Sequence, residues 1–197
     1  MQAYKKGDAK EVAELIRQDP GFKVNMGQDG FERTLLHYAC WDNRSSPVIP
    51  LLLAHPDINV NLRCESGYTP FTAACYFGST SCVRELLQDS RVNVNVADRY
   101  GITPLCDAAS TGFLDIITWW IASGREMDLG KPGDVDRTDA IGGAKKKEFQ
   151  EDEAKEKRKT EVVTLLERFK SDAAKTRSEV RKELGITGQY HSFFSID

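Results

Sequence analysis

The residues of this 197-residue chain best suited to chemistry are three histidines, five cysteines and two lysine-rich runs. Cys40, Cys64, Cys75, Cys82 and Cys106 stand 24, 11, 7 and 24 residues apart. Zinc sites draw their ligands in close pairs such as C-x-x-C or H-x-x-x-H, and neither pair occurs. An odd number of loosely spaced cysteines suits reduced thiols that act as small buried hydrophobes in an intracellular protein. His37, His55 and His191 are widely spread, so they do not suggest the nucleophile and base that catalysis needs. Gly142-Gly143-Ala144-Lys145 is too short to cradle a nucleotide phosphate. The chemistry-bearing residues therefore predict no enzyme, no metal, no cofactor and no small-molecule substrate.

The lysine runs point to solvation. Lys145, Lys146 and Lys147 and the stretch from Lys155 to Lys159 are interleaved with Glu148, Glu151, Asp152, Glu153 and Glu156. Alternating charge of this kind makes a solvated helix face with i,i+4 pairs. The whole chain has 27 basic and 30 acidic side chains, a net charge of −3, which sets up no global field for nucleic acid or an anionic membrane. No apolar run reaches the roughly 18 residues that span a bilayer. Lys5 and Lys6 are followed by no apolar stretch of a signal peptide. A cytoplasmic or nuclear monomer is expected.

What organises the chain is a period. The segments from Thr34 (TLLHYACW), Thr69 (TPFTAACYFG) and Thr103 (TPLCDAASTG) superpose, with the threonines 35 and 34 residues apart. Val24-Asn25, Val60-Asn61 and Val94-Asn95 recur in step. Thr before Pro is a helix start, the hydroxyl capping a free amide, and Pro70 and Pro104 take the first helical position, where a missing N–H costs nothing. Ala73-Ala74 and Ala108-Ala109 let two helices approach closely. Gly78 and Gly112 end the helix in a left-handed conformation. A second apolar helix follows, with Cys82, Val83, Leu86 and Leu87 in one unit and Ile116, Ile117, Trp119, Trp120 and Ile121 in the next. Both tryptophans are expected to pack inward.

GYTPFTAACYFG and GITPLCDAASTG resemble the ankyrin repeat, whose fingerprint has a 33-residue period. The resemblance implies an all-α solenoid of stacked helix-turn-helix units joined by β-turn loops, with a C-terminal capping helix. Residues 1–28 would be a partial N-terminal capping repeat, its first helix confined to residues 1–6, unless the natural protein extends further upstream. Residues 29–63, 64–97 and 98–133 would be ankyrin repeats. Residues 134–170 would be a degenerate repeat opened by Thr138, with a charged helical insertion at about 147–157 that protrudes from its hairpin. Residues 171–197 would be a C-terminal helix from Asp172 to Gly185 and a tail, docked by Tyr190, Phe193 and Phe194 or disordered. In the second unit, Asn43 replaces the inter-helix glycine and would supply the left-handed turn, with Pro47 in the first turn of the following helix and Pro50 three residues on. His37 falls at the histidine of the family's TPLH motif, where it would brace turns by hydrogen bonding.

The resemblance also implies a function. In the family, turn tips and the exposed side of the first helix line a concave face where partner proteins dock. Carried over residue by residue, that face holds Phe31, Arg33, Trp41 and Asp42; then Glu65, Ser66, Tyr68, Tyr76 and Phe77; then Arg99, Tyr100, Ile102, Ser110 and Thr111. Six of these are aromatic in a chain that is 9 % aromatic. Their rings would either meet a partner or pack between neighbouring units. A protein-binding scaffold is the function expected, and the alternative is a nucleic-acid-associated or regulatory ankyrin subunit of a larger protein. Asn61 and Asn95 match the family's hydroxylated asparagine; their simpler role is to hydrogen-bond the turn backbone.

Overall fold

The computed structural model describes residues 9–19, 21–131, 139–146 and 152–186. Among them the regular structure is helical: α1 (Ala9–Gln18), α2 (Leu35–Trp41), a 3-10 helix (Asn43–Val48), α3 (Ile49–Leu53), α4 (Pro70–Phe77), α5 (Thr80–Leu87), α6 (Pro104–Thr111), α7 (Leu114–Ser123), α8 (Ala140–Lys145), α9 (Glu153–Ser171) and α10 (Ala173–Glu183).

The repeating threonines start the helices. Thr34, Thr69 and Thr103 have extended backbones, and their hydroxyls accept from the amides of His37, Thr72 and Cys106, the last two at 3.1 and 3.3 Å. Such a cap is worth about 1 kcal/mol. Pro70 and Pro104 occupy the first helical position. Gly78 is required twice over. Its φ is 73°, and a Cβ there would lie 2.6 Å from Cζ of Phe113, whose ring seals the same turn in the next unit.

First helices stack side by side in the order α2, α4, α6, α8, and second helices follow as α3, α5, α7, α9. The core lies between the two layers. Phe71 of α4 meets Trp120 of α7 edge to face, with ring centroids 5.0 Å apart, and both are fully buried along with Leu36, Leu86, Ile116, Ile117 and Leu166. The paired alanines are buried where α4 and α6 touch. All five cysteines are free and buried. Trp119 is half-buried, with the Arg84 guanidinium 3.9 Å from its ring.

Polar clamps join the units. Asn25 Nδ2 donates to the Asp57 carbonyl (2.6 Å) and its Oδ1 accepts from the Asn59 amide (2.8 Å). Asn61 repeats this on Arg91 (2.8 Å) and Asn93 (2.7 Å), and Asn95 accepts from the Asp128 amide (3.2 Å). The guanidinium of Arg125 donates to the carbonyls of Asp89 (2.9 Å) and Val92. At the far end, Arg177 and Arg181 of α10 donate to the Ile121 and Ala122 carbonyls near the end of α7 (3.2 and 2.7 Å). These carbonyls have few intrahelical donors left, so α10 both covers the stack and completes α7.

Three expectations are corrected. Asn43 is not left-handed: Asp42 caps a 3-10 helix that begins at Asn43, accepting from the Arg44 amide (3.0 Å), and Asn43 Oδ1 instead accepts from the Ser81 amide of the next unit (2.7 Å). Pro47 lies inside that 3-10 helix and Pro50 in the first turn of α3, so the second helix of this unit is delayed and shortened to Ile49–Leu53. The fifth unit's cap is Asp139, whose carboxylate accepts from the Gly142 amide (2.9 Å); Thr138 lies outside the described residues. Of the charged stretch at about 147–157, residues 147–151 are also outside them, and Glu153 onward forms the first turns of the 19-residue α9. Residues 1–6 and the tail aromatics Tyr190, Phe193 and Phe194 fall outside as well.

Candidate partner-binding face

Side chains at the seventh and eighth positions after each capping threonine leave the core side of the first helices. In α2 and α4 these positions hold Trp41, Tyr76 and Phe77. Trp41 stacks on Phe77 across the unit boundary, with centroids 4.7 Å apart. Phe77 meets Tyr76 edge to face at 5.0 Å, and Tyr76 meets Tyr68 at 5.5 Å. On the other flank, the Arg33 guanidinium lies 4.5 Å from the Trp41 ring and 4.7 Å from Phe31. The Phe31 carbonyl accepts from the Glu65 amide (2.9 Å), tying the tips of two units together. The result is one row of touching rings across two units.

The row is open to solvent. Among the described residues, the exposed large hydrophobic side chains are Leu15, Met26, Phe31, Trp41, Tyr76, Phe77 and Tyr100, and all but the first two belong to the carried-over face. Apolar surface gathered in one patch is the ordinary mark of a binding site. Tyr100 is the most open of these at 70 % and lies outside the row, with the Arg99 guanidinium 5.3 Å from its ring. Tyr68 is half-buried.

The other carried-over residues divide. Glu65 and Arg99 are exposed, and Ser66 and Ile102 partly so. Asp42 is held locally by Arg44 (2.6 Å). The Ser110 and Thr111 hydroxyls turn back to the Asp107 carbonyl (3.1 and 2.7 Å), and α8 lies against α6 there. The face therefore holds its exposed rings in the second and third units, with Tyr100 alone in the fourth. His37 is buried. Its Nδ1 accepts from the Thr34 amide (3.2 Å), so Nε2–H donates to the Tyr68 carbonyl (2.9 Å). Burial lowers its pKa. It holds the loop that carries Tyr68 in place and has no open side for catalysis.

Sequence reasoning missed four residues here. Tyr38 stacks on Trp41 at 5.9 Å and donates its hydroxyl to Asp29 (2.5 Å). Asp29 stands five residues before the capping threonine, and Asp98 occupies the same place in the fourth unit. Each holds its loop by accepting from two amides: Phe31 and Arg33 for Asp29 (2.9 and 3.2 Å), Tyr100 and Ile102 for Asp98 (2.8 and 2.9 Å). That shared place in the repeat was the available signal. Burial pushes against ionisation of Asp29, but the Tyr38 hydroxyl, the two amides and the Arg33 charge together hold it below the usual carboxylate value. Asp107 is the reverse. Burial, and then the charge of Asp98, push its carboxyl up to about 7.

With this geometry in hand, known proteins place the chain. A family model described as Ankyrin repeats (3 copies) matches residues 36–130. Over those residues the chain carries ankyrin repeats. SMC5-SMC6 complex localization factor protein 1 of Bos taurus is 38 % identical over 95 residues, 48 % of this chain and 9 % of that protein. Its Homo sapiens counterpart is 41 % identical over 83 residues, 42 % of this chain and 8 % of that protein. The putative ankyrin repeat protein YahD of Escherichia coli (strain K12) is 33 % identical over 81 residues, 39 % of this chain and 40 % of that protein. The likeness thus spans less than a tenth of the first two relatives. Ankyrin arrays are as a family protein-interaction modules, their stacked units presenting an extended surface to other proteins. No helix among the described residues is long and apolar enough to cross a membrane.

Proposed function

We propose that this ankyrin array is a non-catalytic module that, as a monomer, holds a partner protein against its concave face through the row Phe31, Arg33, Trp41, Phe77, Tyr76 and Tyr68, with Tyr100 as a separate contact. One observation carries the reading: five of the seven exposed large apolar side chains of the described residues lie on this face, and Trp41, Phe77 and Tyr76 touch one another there. Trp, Tyr and Arg are the residue types that dominate interface energy, at about 2 kcal/mol or more per truncation at a hot spot. The ring contacts support one division of the aromatics between packing and binding. They pack on one another along the surface and leave their outer faces free.

The test is a double variant, Trp41→Ala with Tyr76→Ala. Both side chains are exposed, so the helical circular dichroism and melting profile are expected to stay close to those of the native protein. Capture of the partner is expected to fall by about three orders of magnitude, the sum of two hot-spot losses of about 2 kcal/mol each. Loss of the fold in the double variant would show that the rings serve the array itself.

The relatives support a second reading, a regulatory part of a larger protein. Two of them are named as localization factors of the SMC5-SMC6 complex, and the similar stretch is a small share of each. A contact that localises a larger assembly, in the cytoplasm or nucleus, is work this face suits. A direct nucleic-acid role has less support, because the net charge is −3. We further infer that Asn61 and Asn95 serve as clamps between units, with hydroxylation as a secondary role that intact-mass measurement of native protein would reveal.

A further inference from the structure

The repeat allows one unit to be compared with another at the same positions. In the second unit, Asp29 (five before the threonine) receives the hydroxyl of Tyr38 (four after it) at 2.5 Å and pairs with Arg33 (one before it) at 3.5 Å. The acid of this unit thus has both a donor and a cation from its own chain. In the third unit the three positions are Cys64, Ala73 and Tyr68, and no acid is present. In the fourth unit Asp98 keeps the acid and the same two-amide loop, but the other positions have changed: Asp107 stands where Tyr38 donates, and Ile102 where Arg33 brings its charge. A second carboxylate, near enough for the charge of Asp98 to act on it, stands where the second unit has its donor.

The site is also enclosed. Asp98 and Asp107 are 6 and 7 % exposed. Oδ2 of Asp107 is buried with no hydrogen-bond partner. Among the described residues, Asp98 acts on the Asp107 carboxyl, and Asp107 acts in turn on the Tyr68 hydroxyl and the Cys75 thiol; all four are neutral or acidic groups. An unpaired buried carboxylate costs several kcal/mol. A fold keeps one at little benefit unless something supplies the missing cation. Tyr68, the end of the aromatic row, lies near enough for the charge of both acids to act on its hydroxyl, so a segment lying along the row would arrive beside them.

We propose that the notch between Asp98 and Asp107 takes up a Lys or Arg side chain from an extended segment of the partner protein, which plays there the part that Arg33 plays for Asp29. The inference rests on the concave face being the partner surface and assigns that partner its chemistry: a basic segment, its cation in the notch and its neighbours on the rings. Such charge-assisted contacts in a desolvated place are the strong ones, and aromatic faces beside them also favour cations.

The test follows the Asp107 carboxyl by carbon-13 NMR in the full chain, with three nonapeptides of alternating Ser and Gly as probes at millimolar concentration. Their central residue is Lys, Arg or norleucine. With the Lys or Arg peptide, the Asp107 titration midpoint is expected to fall by about one unit or more, the effect of an opposite charge within contact. The norleucine peptide is expected to leave it unmoved. Asp98→Asn and Asp107→Asn are each expected to abolish the difference between charged and neutral peptides in the backbone amide shifts near residue 98. Three results would overturn the proposal: a midpoint already below the ordinary range in the free protein, showing that a cation of the chain itself fills the notch; a midpoint that moves on dilution, showing that a second copy fills it; or equal responses, including none, to charged and neutral peptides. If all three peptides shift Trp41 and Tyr76 alike and leave Asp107 unmoved, the concave-face reading stands and the cation inference alone fails.

Discussion

Replacing Asp107 by Asn should make the protein more stable, and the gain should depend on pH. An acid whose folded pKa is raised binds its proton more tightly in the folded state than in the unfolded one. Stability is then full below the unfolded value of 3.8 and falls as pH rises toward about 7, where the folded carboxyl ionises as well. The rise is roughly three pKa units at about 1.4 kcal/mol each, so the native protein gives up roughly 4 kcal/mol between acid and neutral pH. Asn keeps the shape and carries no charge. We expect Asp107→Asn to gain about 2–4 kcal/mol at pH 8 and little at pH 4, or roughly 4–16 °C in melting temperature for a chain of this size. His37 works in the opposite sense: burial lowers its pKa, so its contribution is lost as pH falls below the usual imidazole value. His37 is common to both proteins and cancels in their difference. The assay is urea unfolding of the two proteins, followed by circular dichroism, across pH 4 to 8. If the difference between them does not grow with pH, Asp107 is not a buried, unpaired acid, and the reasoning fails.

Other substitutions probe the stack itself. Trp120→Ala removes the largest fully buried side chain and its edge contact with Phe71; a loss of about 3–5 kcal/mol in chemical denaturation is expected, and a loss under 1 kcal/mol would place the core elsewhere. Asn61→Ala deletes two hydrogen bonds that join neighbouring units. At about 1 kcal/mol each, the expected cost is about 2 kcal/mol, together with faster amide exchange at Asn93, whereas unchanged exchange there would show that the clamp does not form in solution.

The parts of the fold that were legible in the sequence are those encoded within a few residues. Thr69-Pro70 and Thr103-Pro104 set both the cap and the first φ angle, and Gly78 and Gly112 can take the left-handed turn that L side chains resist. Asn43 was misread because its tolerance of that turn was weighed alone. Asp42 caps from the preceding position, and Pro47 falls near the end of the 3-10 helix that follows, so the neighbours decided the geometry. The opening of the fifth unit turned on adjacent residues, Thr138 and Asp139, either of which can cap. The aromatic face came from the resemblance to the ankyrin repeat, carried over residue by residue; Trp41, Tyr76 and Phe77 hold positions seven and eight after their threonines. The linkage of its rings was not legible, because the stacking of Trp41 on Phe77 depends on the spacing of neighbouring units. Asp107 gave no local warning. In a single helix it is an ordinary polar residue, and only the assembled stack buries it and brings up the charge of Asp98.

The account turns on which face meets the partner, and site-specific photo-crosslinking reads that directly. With a benzophenone side chain at Tyr76 in one protein and at Gln88, an exposed residue at the end of α5, in another, we predict a discrete adduct with the partner from Tyr76 and none from Gln88. An adduct from Gln88 with none from Tyr76 would contradict the account.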